Sequence, residues 1–273
     1  MKIGIITHYA VHNHGASLQL NALVKVLKKN FNADAQALQF ETNYDFADKS
    51  VRDKHKISLR SVGYFLNYIR ERGIKLFLFN IQKKRLFGSF NAQEGLIGPR
   101  SNACEALDAV VIGSDEVFSL FAGPTPEFFG YNLPSKKVFS YAGCFGPTTV
   151  EDVKKVHCEE FGRDGLNSMA GLSMRDQNSI AVAKEFTGRD AELVVDPVIL
   201  YGYKEELAKL EDEKEELKKK ESELRVSIES DDVGRQIKDL EGDIKRLNGT
   251  KQTRQAKLQT YNQKVVDVGM VAN

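Results

Sequence analysis

The chain has almost no charge imbalance: 39 Lys and Arg against 38 Asp and Glu leave a net charge of +1 over 273 residues. A strongly basic balance would point to nucleic acid or a membrane surface, so neither is indicated and no nucleic-acid partner is expected. It has no run of about eighteen apolar residues, so no transmembrane helix is expected. The opening Met1-Lys2-Ile3-Gly4-Ile5-Ile6 is not followed by the apolar stretch of a signal peptide, and a cytoplasmic protein is the expectation. Cysteine is scarce. Cys104, Cys144 and Cys158 are an odd set whose spacing fits no zinc pattern. They read as reduced thiols, with no metal or cofactor implied. No GxxxxGK[ST] occurs, so no ATPase head is encoded.

Three further absences mark a change of character along the chain. The last His is His157, the last Phe is Phe186 and the last Pro is Pro197. From Lys204 to Asn273 there are 15 Lys and Arg and 16 Asp and Glu. So charged a stretch cannot bury a core of its own, whereas the whole chain, 41% hydrophobic, can. The expected organisation is an α/β domain over 1–202 and a charged helical hairpin over 203–273. In the second part Leu207, Leu210, Leu217, Leu224 and Ile228 fall at a/d heptad steps through polar Lys214 and Glu221. After Asp231-Asp232-Val233-Gly234, read as a turn, the seam resumes at Ile237, Leu240, Ile244, Leu247, Leu258, Tyr261, Val265 and Val268, through polar Lys251 and Arg254. That pattern predicts an antiparallel coiled coil able to self-associate. Its texture is similar to the arms of SMC-type proteins, a compositional likeness only.

The first part alternates short apolar runs with helical patterns. Lys2–His8 reads as a strand, Tyr9-Ala10-Val11-His12-Asn13-His14-Gly15-Ala16 as a turn, Ser17–Lys29 as a helix and Ala33–Phe40 as a strand. Helical segments are expected at Leu59–Arg72 and Gly73–Phe90. There Phe77, Phe79, Phe87 and Phe90 read as core or lobe contacts. Strands follow at Ala106–Ile112, Lys137–Ala142, Leu172–Asp176 and Ala191–Val195. Each ends in small or polar residues: Gly113-Ser114-Asp115-Glu116, Gly143-Cys144, Arg175-Asp176 and Asp196-Pro197. Such an alternation predicts a Rossmann-like, doubly wound parallel sheet with a ligand crevice along its carboxyl edge.

Five stretches in order give a more specific likeness. They are Ile5-Ile6-Thr7-His8-Tyr9 with Asn13-His14-Gly15-Ala16-Ser17-Leu18-Gln19, then Val111-Ile112-Gly113-Ser114-Asp115-Glu116-Val117-Phe118, then Ser140-Tyr141-Ala142-Gly143-Cys144-Phe145-Gly146, then Leu172-Ser173-Met174-Arg175-Asp176, then Val195-Asp196-Pro197-Val198-Ile199-Leu200. Together they resemble the polysaccharide pyruvyl transferase family over about 200 residues. The resemblance implies the first lobe of a GT-B-like fold. It also implies transfer of a pyruvyl group from phosphoenolpyruvate to a sugar hydroxyl in exopolysaccharide biosynthesis, on a sugar or lipid-linked glycan acceptor. Departures from the pattern are His14 in place of an aromatic residue, Glu116 for Gln, Phe118 for Trp and Cys144 for Ser. A usual member continues after Asp-Pro into a second lobe with a catalytic His. The absence of His after His157 leads to the expectation that this lobe is missing and the transferase incomplete, or else that the chain is a non-catalytic oligomerising scaffold.

Ketal formation needs an acid, a base and anion-binding groups. Arg175 is the candidate anion ligand, or else an ion-pair partner of Asp176 or Asp196. Asp115 is the candidate base or hydroxyl acceptor, or else a helix N-cap. Asn13, His14 and Gly15 are candidate substrate contacts at a helix N-terminus, unless Gly15 only supplies a positive φ to the turn. Ser114, Tyr141 and Ser173 complete the candidate substrate-binding set. Asp196 before Pro197 reads as a turn-former, and nothing in the sequence provides Cys144 with a base.

Overall fold

The computed structural model describes residues 1–11, 13–41, 59–121, 125–155, 157–226 and 231–271. His12 and Ile228 therefore lie outside the described residues. The chain falls into two compact units, Met1–Leu200 and Tyr201–Asn273.

In the first unit the strands β1 (Lys2–Ile6), β2 (Asp34–Gln39), β3 (Ile97–Arg100), β4 (Ala109–Ile112) and β5 (Val138–Ser140) form one sheet in the order β3-β2-β1-β4-β5. All four pairings are parallel. Two short strands, β6 (Ser173–Met174) and β7 (Glu192–Leu193), pair in parallel with each other. Single bridges from Phe139 to Gly171 and from Gly143 to Met174 carry the pleat on from β5 to β6. The strand order reverses between β1 and β4, which makes their carboxyl ends the topological switch point of a Rossmann-like sheet.

Period-two alternation sends successive residues of each strand to opposite faces. Ile3, Ile5, Ala35, Ala37 and Val111 pack with Leu20, Leu23 and Leu27 of α1 (His14–Phe31). Ile6, Leu38, Val110, Ile112 and Val138 face the other core with Phe118, Phe128, Phe145 and Met174. Both faces of β1 and β4 are covered, so these two are apolar almost throughout, as buried parallel strands must be, whereas β2 carries Asp34, Gln36 and Gln39. At the carboxyl end of β4 the backbone of Gly113 has φ +120°, and a methyl group there would land on the Tyr141 carbonyl. Only glycine allows the chain to turn so close to β5.

Several sequence expectations are corrected here. α1 begins at His14, not Ser17, because Asn13 caps it: its side chain accepts from the Gly15 N–H at 2.9 Å. Gly15 is therefore helical, and no positive φ is required of it. β3 was not read from the sequence at all, since Ile97-Gly98-Pro99-Arg100 has two poor strand formers and sits on the sheet edge, where proline is tolerated. The later strands are shorter than their apolar runs. Helix α2 (Leu59–Gln93) is broken at Gly73, which has φ 80° and ψ 156°, between the two expected helical segments. The remaining helices of this unit are α3 (Val150–Lys155), α4 (Glu159–Ser168), α5 (Gln177–Thr187) and α6 (Pro197–Tyr201).

The second unit is two helices, α7 (Lys204–Val226) and α8 (Asp231–Val271). Lys251 meets Glu211 at 2.6 Å, so α8 runs back along α7. Leu207, Leu210, Lys214, Leu217, Glu221 and Leu224 are the half-buried heptad positions of α7. Ile237, Leu240, Ile244, Leu247, Lys251, Arg254 and Leu258 continue the seam on α8. Asp231 to Gly234, expected as a turn, is instead the first turn of α8.

Candidate active site

Every parallel strand around the switch point delivers its next residues to the same edge of the sheet. β1 is followed by Thr7 and His8. The Thr7 hydroxyl donates to the Ser114 carbonyl at 2.8 Å, tying the ends of β1 and β4 together. The His8 Nε2 lies 3.3 Å from the Glu116 carbonyl, and its ring meets Phe128 edge-on at 4.7 Å. Asp115 follows β4 with φ 93° and bridges to Gly143 beyond β5. Its carbonyl accepts from the Cys144 N–H at 2.9 Å. Asp115 starts no helix, so the N-cap alternative does not apply. The capping is done elsewhere, by Asp176, which accepts from the Ser179 N–H at 2.7 Å at the start of α5.

Arg175, just past β6, sits at the centre. Its guanidinium lies 3.7 Å from Asp115 Oδ1 and 3.8 Å from Asp196 Oδ2. Both separations are longer than a direct hydrogen bond. The pairing is thus with Asp115 and Asp196, not Asp176. Burial opposes the charged guanidinium, but Cys144, Asp115 and Asp196 outweigh it and its pKa is raised. Asp196 is 5% exposed. Burial pushes its carboxyl above the usual range, against the Val198 N–H, Gln19 and Arg175, which favour the charged form. Its Oδ1 accepts from the Val198 N–H at 2.9 Å, forming the turn into α6. Its Oδ2 accepts from the Gln19 amide. The Cys144 thiol, also beside Arg175, is pushed up by burial, which the guanidinium partly offsets.

The structure thus brings Asp115, Arg175, Ser114 and Tyr141 to one edge. Tyr141 donates its hydroxyl to the Val195 carbonyl at 3.0 Å. Burial, with the Asp196 charge adding to it, pushes its phenol to about 12. The Ser114 hydroxyl is buried and makes no hydrogen bond among the described residues. Ser173 does not join them. Its hydroxyl donates to the Ser140 carbonyl at 2.7 Å, while the Ser140 hydroxyl donates to the Ser173 carbonyl at 2.6 Å. Asn13 and Gly15 satisfy each other at the start of α1. The His14 ring lies 4.9 Å from that of Phe87. Sequence reasoning missed Gln19 as part of the cluster. The signal was present: it is a polar residue on the apolar face of α1, and it is 3% exposed. No group of three or more His, Cys, Asp or Glu suited to a metal occurs among the described residues.

A parallel sheet with a charged cluster at its switch point places the chain in the doubly wound α/β class, whose ligands bind at that edge. A sequence model of the polysaccharide pyruvyl transferase family matches residues 13–261. The chain belongs to that family, and its activity class is that of a transferase. The match passes residue 202, where the resemblance was expected to stop, and takes in α7 and most of α8. Neither a curated protein nor a solved structure matches the chain.

Proposed function

We propose that the chain transfers the pyruvyl group of phosphoenolpyruvate to a sugar acceptor as a cyclic ketal, with Arg175 holding the donor's anionic groups. The observation that carries this reading is the guanidinium suspended between two carboxylates at the switch point, with neither at hydrogen-bond distance. Its planar N–H fork matches a carboxylate or phosphate in two-point fashion. In the reaction the donor's methylene carbon gains a proton, two sugar oxygens bond its C2, and inorganic phosphate leaves. The sugar hydroxyls lose their protons. Asp115, half-buried and beside Arg175, is the base for one of them. Asp196 and Gln19 hold Arg175 in place. The buried Ser114 hydroxyl supplies a donor that a ligand oxygen would satisfy, and Asn13 and His14 flank the acceptor. Family membership over residues 13–261 favours this enzyme over a non-catalytic scaffold. The second-lobe His of a usual member has no counterpart in 203–273, where no His occurs. In this reading the proton for the methylene comes from another group.

Calorimetric titration of the full chain with phosphoenolpyruvate, beside Arg175→Ala, tests the donor assignment. Binding that weakens at least about tenfold in the variant supports it, as loss of a charge-assisted contact should. A folded wild-type chain that gives no heat with millimolar donor would remove it.

A further inference from the structure

The half of α2 after Gly73 is unusual for a helix on a protein surface. Ile74, Leu78, Phe79 and Leu86 are 63%, 52%, 57% and 64% exposed. Phe79 and Leu86 are two turns apart and share a stripe, and Ile74 and Leu78, one turn apart, share the adjoining one. Charge accompanies them. Residues 70–93 hold six Lys or Arg (Arg70, Arg72, Lys75, Lys83, Lys84 and Arg85) against Glu71 alone, 6 − 1 = +5. The whole chain carries +1, so the remainder is 1 − 5 = −4. The neutrality of the chain conceals one strongly basic, apolar surface.

The carboxyl-terminal end of this half-helix is fixed to the fold. Phe87 is buried, and Phe90 packs on the core beneath α1. Glu94, next after the helix, accepts from the Asn21 amide at 2.8 Å and pairs with Lys25 at 3.7 Å. The helix is therefore anchored at that end, while Ile74, Leu78, Phe79 and Leu86 stay exposed. Phe87 also touches His14, the first residue of α1, so the helix lies beside the loop that follows β1.

We propose that residues 74–86 dock this protein onto an anionic lipid bilayer, with Ile74, Leu78, Phe79 and Leu86 entering the acyl boundary and Lys75, Lys84 and Arg85 meeting lipid phosphates. Basic residues interleaved with large apolar ones are what an interfacial helix needs, since long cationic side chains lay their stems on apolar surroundings and raise their heads to phosphate. A second copy of the chain is the poorer occupant, because pairing this face with itself would bring two +5 segments together. Docking there would hold the loop after β1, at the carboxyl edge of the sheet, near the membrane surface. A lipid-linked glycan would then reach the crevice without leaving the bilayer, a consequence that rests on the acceptor assignment above, whereas the docking itself does not.

Vesicle co-sedimentation of the full chain tests this. With phosphatidylglycerol–phosphatidylcholine vesicles at low salt the protein should pellet, and with phosphatidylcholine alone it should stay in solution. Phe79→Glu/Leu86→Glu and, separately, Lys75→Glu/Arg85→Glu should each weaken binding at least about tenfold, with the helical circular dichroism and the phosphoenolpyruvate titration unchanged. A wild-type chain that remains in the supernatant with anionic vesicles overturns the proposal. So does equal binding by wild type and both variants. A stable dimer that Phe79→Glu/Leu86→Glu converts to monomer, without altering vesicle binding, would assign the face to a second copy instead.

Discussion

Asp196 is where burial and pairing compete most directly. Two hydrogen bonds and Arg175 favour its charged form, yet burial dominates and raises its pKa. The folded state then binds a proton more tightly than the unfolded state, so ν_N exceeds ν_U and stability falls as pH rises through the window above 3.8. Asp196→Asn removes that dependence. Relative to the variant, the wild type should lose stability steadily as pH rises from the unfolded pKa through the raised folded one. Thermal unfolding of both proteins across acid to neutral pH measures the difference directly. A gap that is flat with pH, or that turns in favour of the wild type, would mean the Arg175 pairing prevails over burial.

Among the elements, the join between β5 and β6 rests on few backbone bonds, and the reciprocal Ser140–Ser173 pair reinforces it. Ser140→Ala would leave the Ser173 carbonyl without its hydroxyl donor in a buried place, at a cost of about 1–3 kcal/mol. Urea unfolding should register that loss, and an unchanged midpoint would reduce the stitch to decoration. This pair also marks the limit of what sequence could tell. Two serines at the ends of apolar runs look like crevice residues, and Ser173 was read so. Their mutual commitment depends on a register between strands more than thirty positions apart. The strands β1 and β4 were legible because burial on both faces makes them almost continuously apolar, and β2 because its apolar positions follow a helix and a turn. β3 was not, because an edge strand containing Gly98 and Pro99 carries no such pattern. At the switch point, Asp115 and Arg175 were legible from their places after strands, while a polar Gln19 on the apolar face of α1 signals a buried partner without saying which. The exposure of Phe79 was equally hidden: Phe87 and Phe90 are core, as expected of the group, but Phe79 lies about three turns before Phe90 on the same side of the helix, where the core does not reach.

For the whole molecule, the three thiols provide a simple check on packing. Cys144 and Cys158 are 2% and 3% exposed, and burial raises the pKa of both, that of Cys158 to about 12. Cys104 is half-buried at the rim of a cleft of about 250 Å³ on the opposite, amino-terminal edge of the sheet. Thiolate is the reactive form, so a disulfide reagent at pH 8 should titrate one thiol quickly and the other two only on unfolding. Cys104→Ser should abolish the fast phase. Two fast thiols would mean that the core around Cys144 or Cys158 opens readily.

The tie between Thr7 and Ser114 spans 107 residues, and that between Gln19 and Asp196 spans 177. On the ribosome, at roughly 5–20 residues per second, the end of β1 waits roughly 5–20 s for its neighbour and the crevice waits roughly 9–35 s for its last carboxylate. Through that interval the apolar Ile3-Gly4-Ile5-Ile6 has only β2 beside it. Synthesis speed and chaperone supply, more than the stability of the finished fold, should therefore set how much of this protein a cell recovers intact.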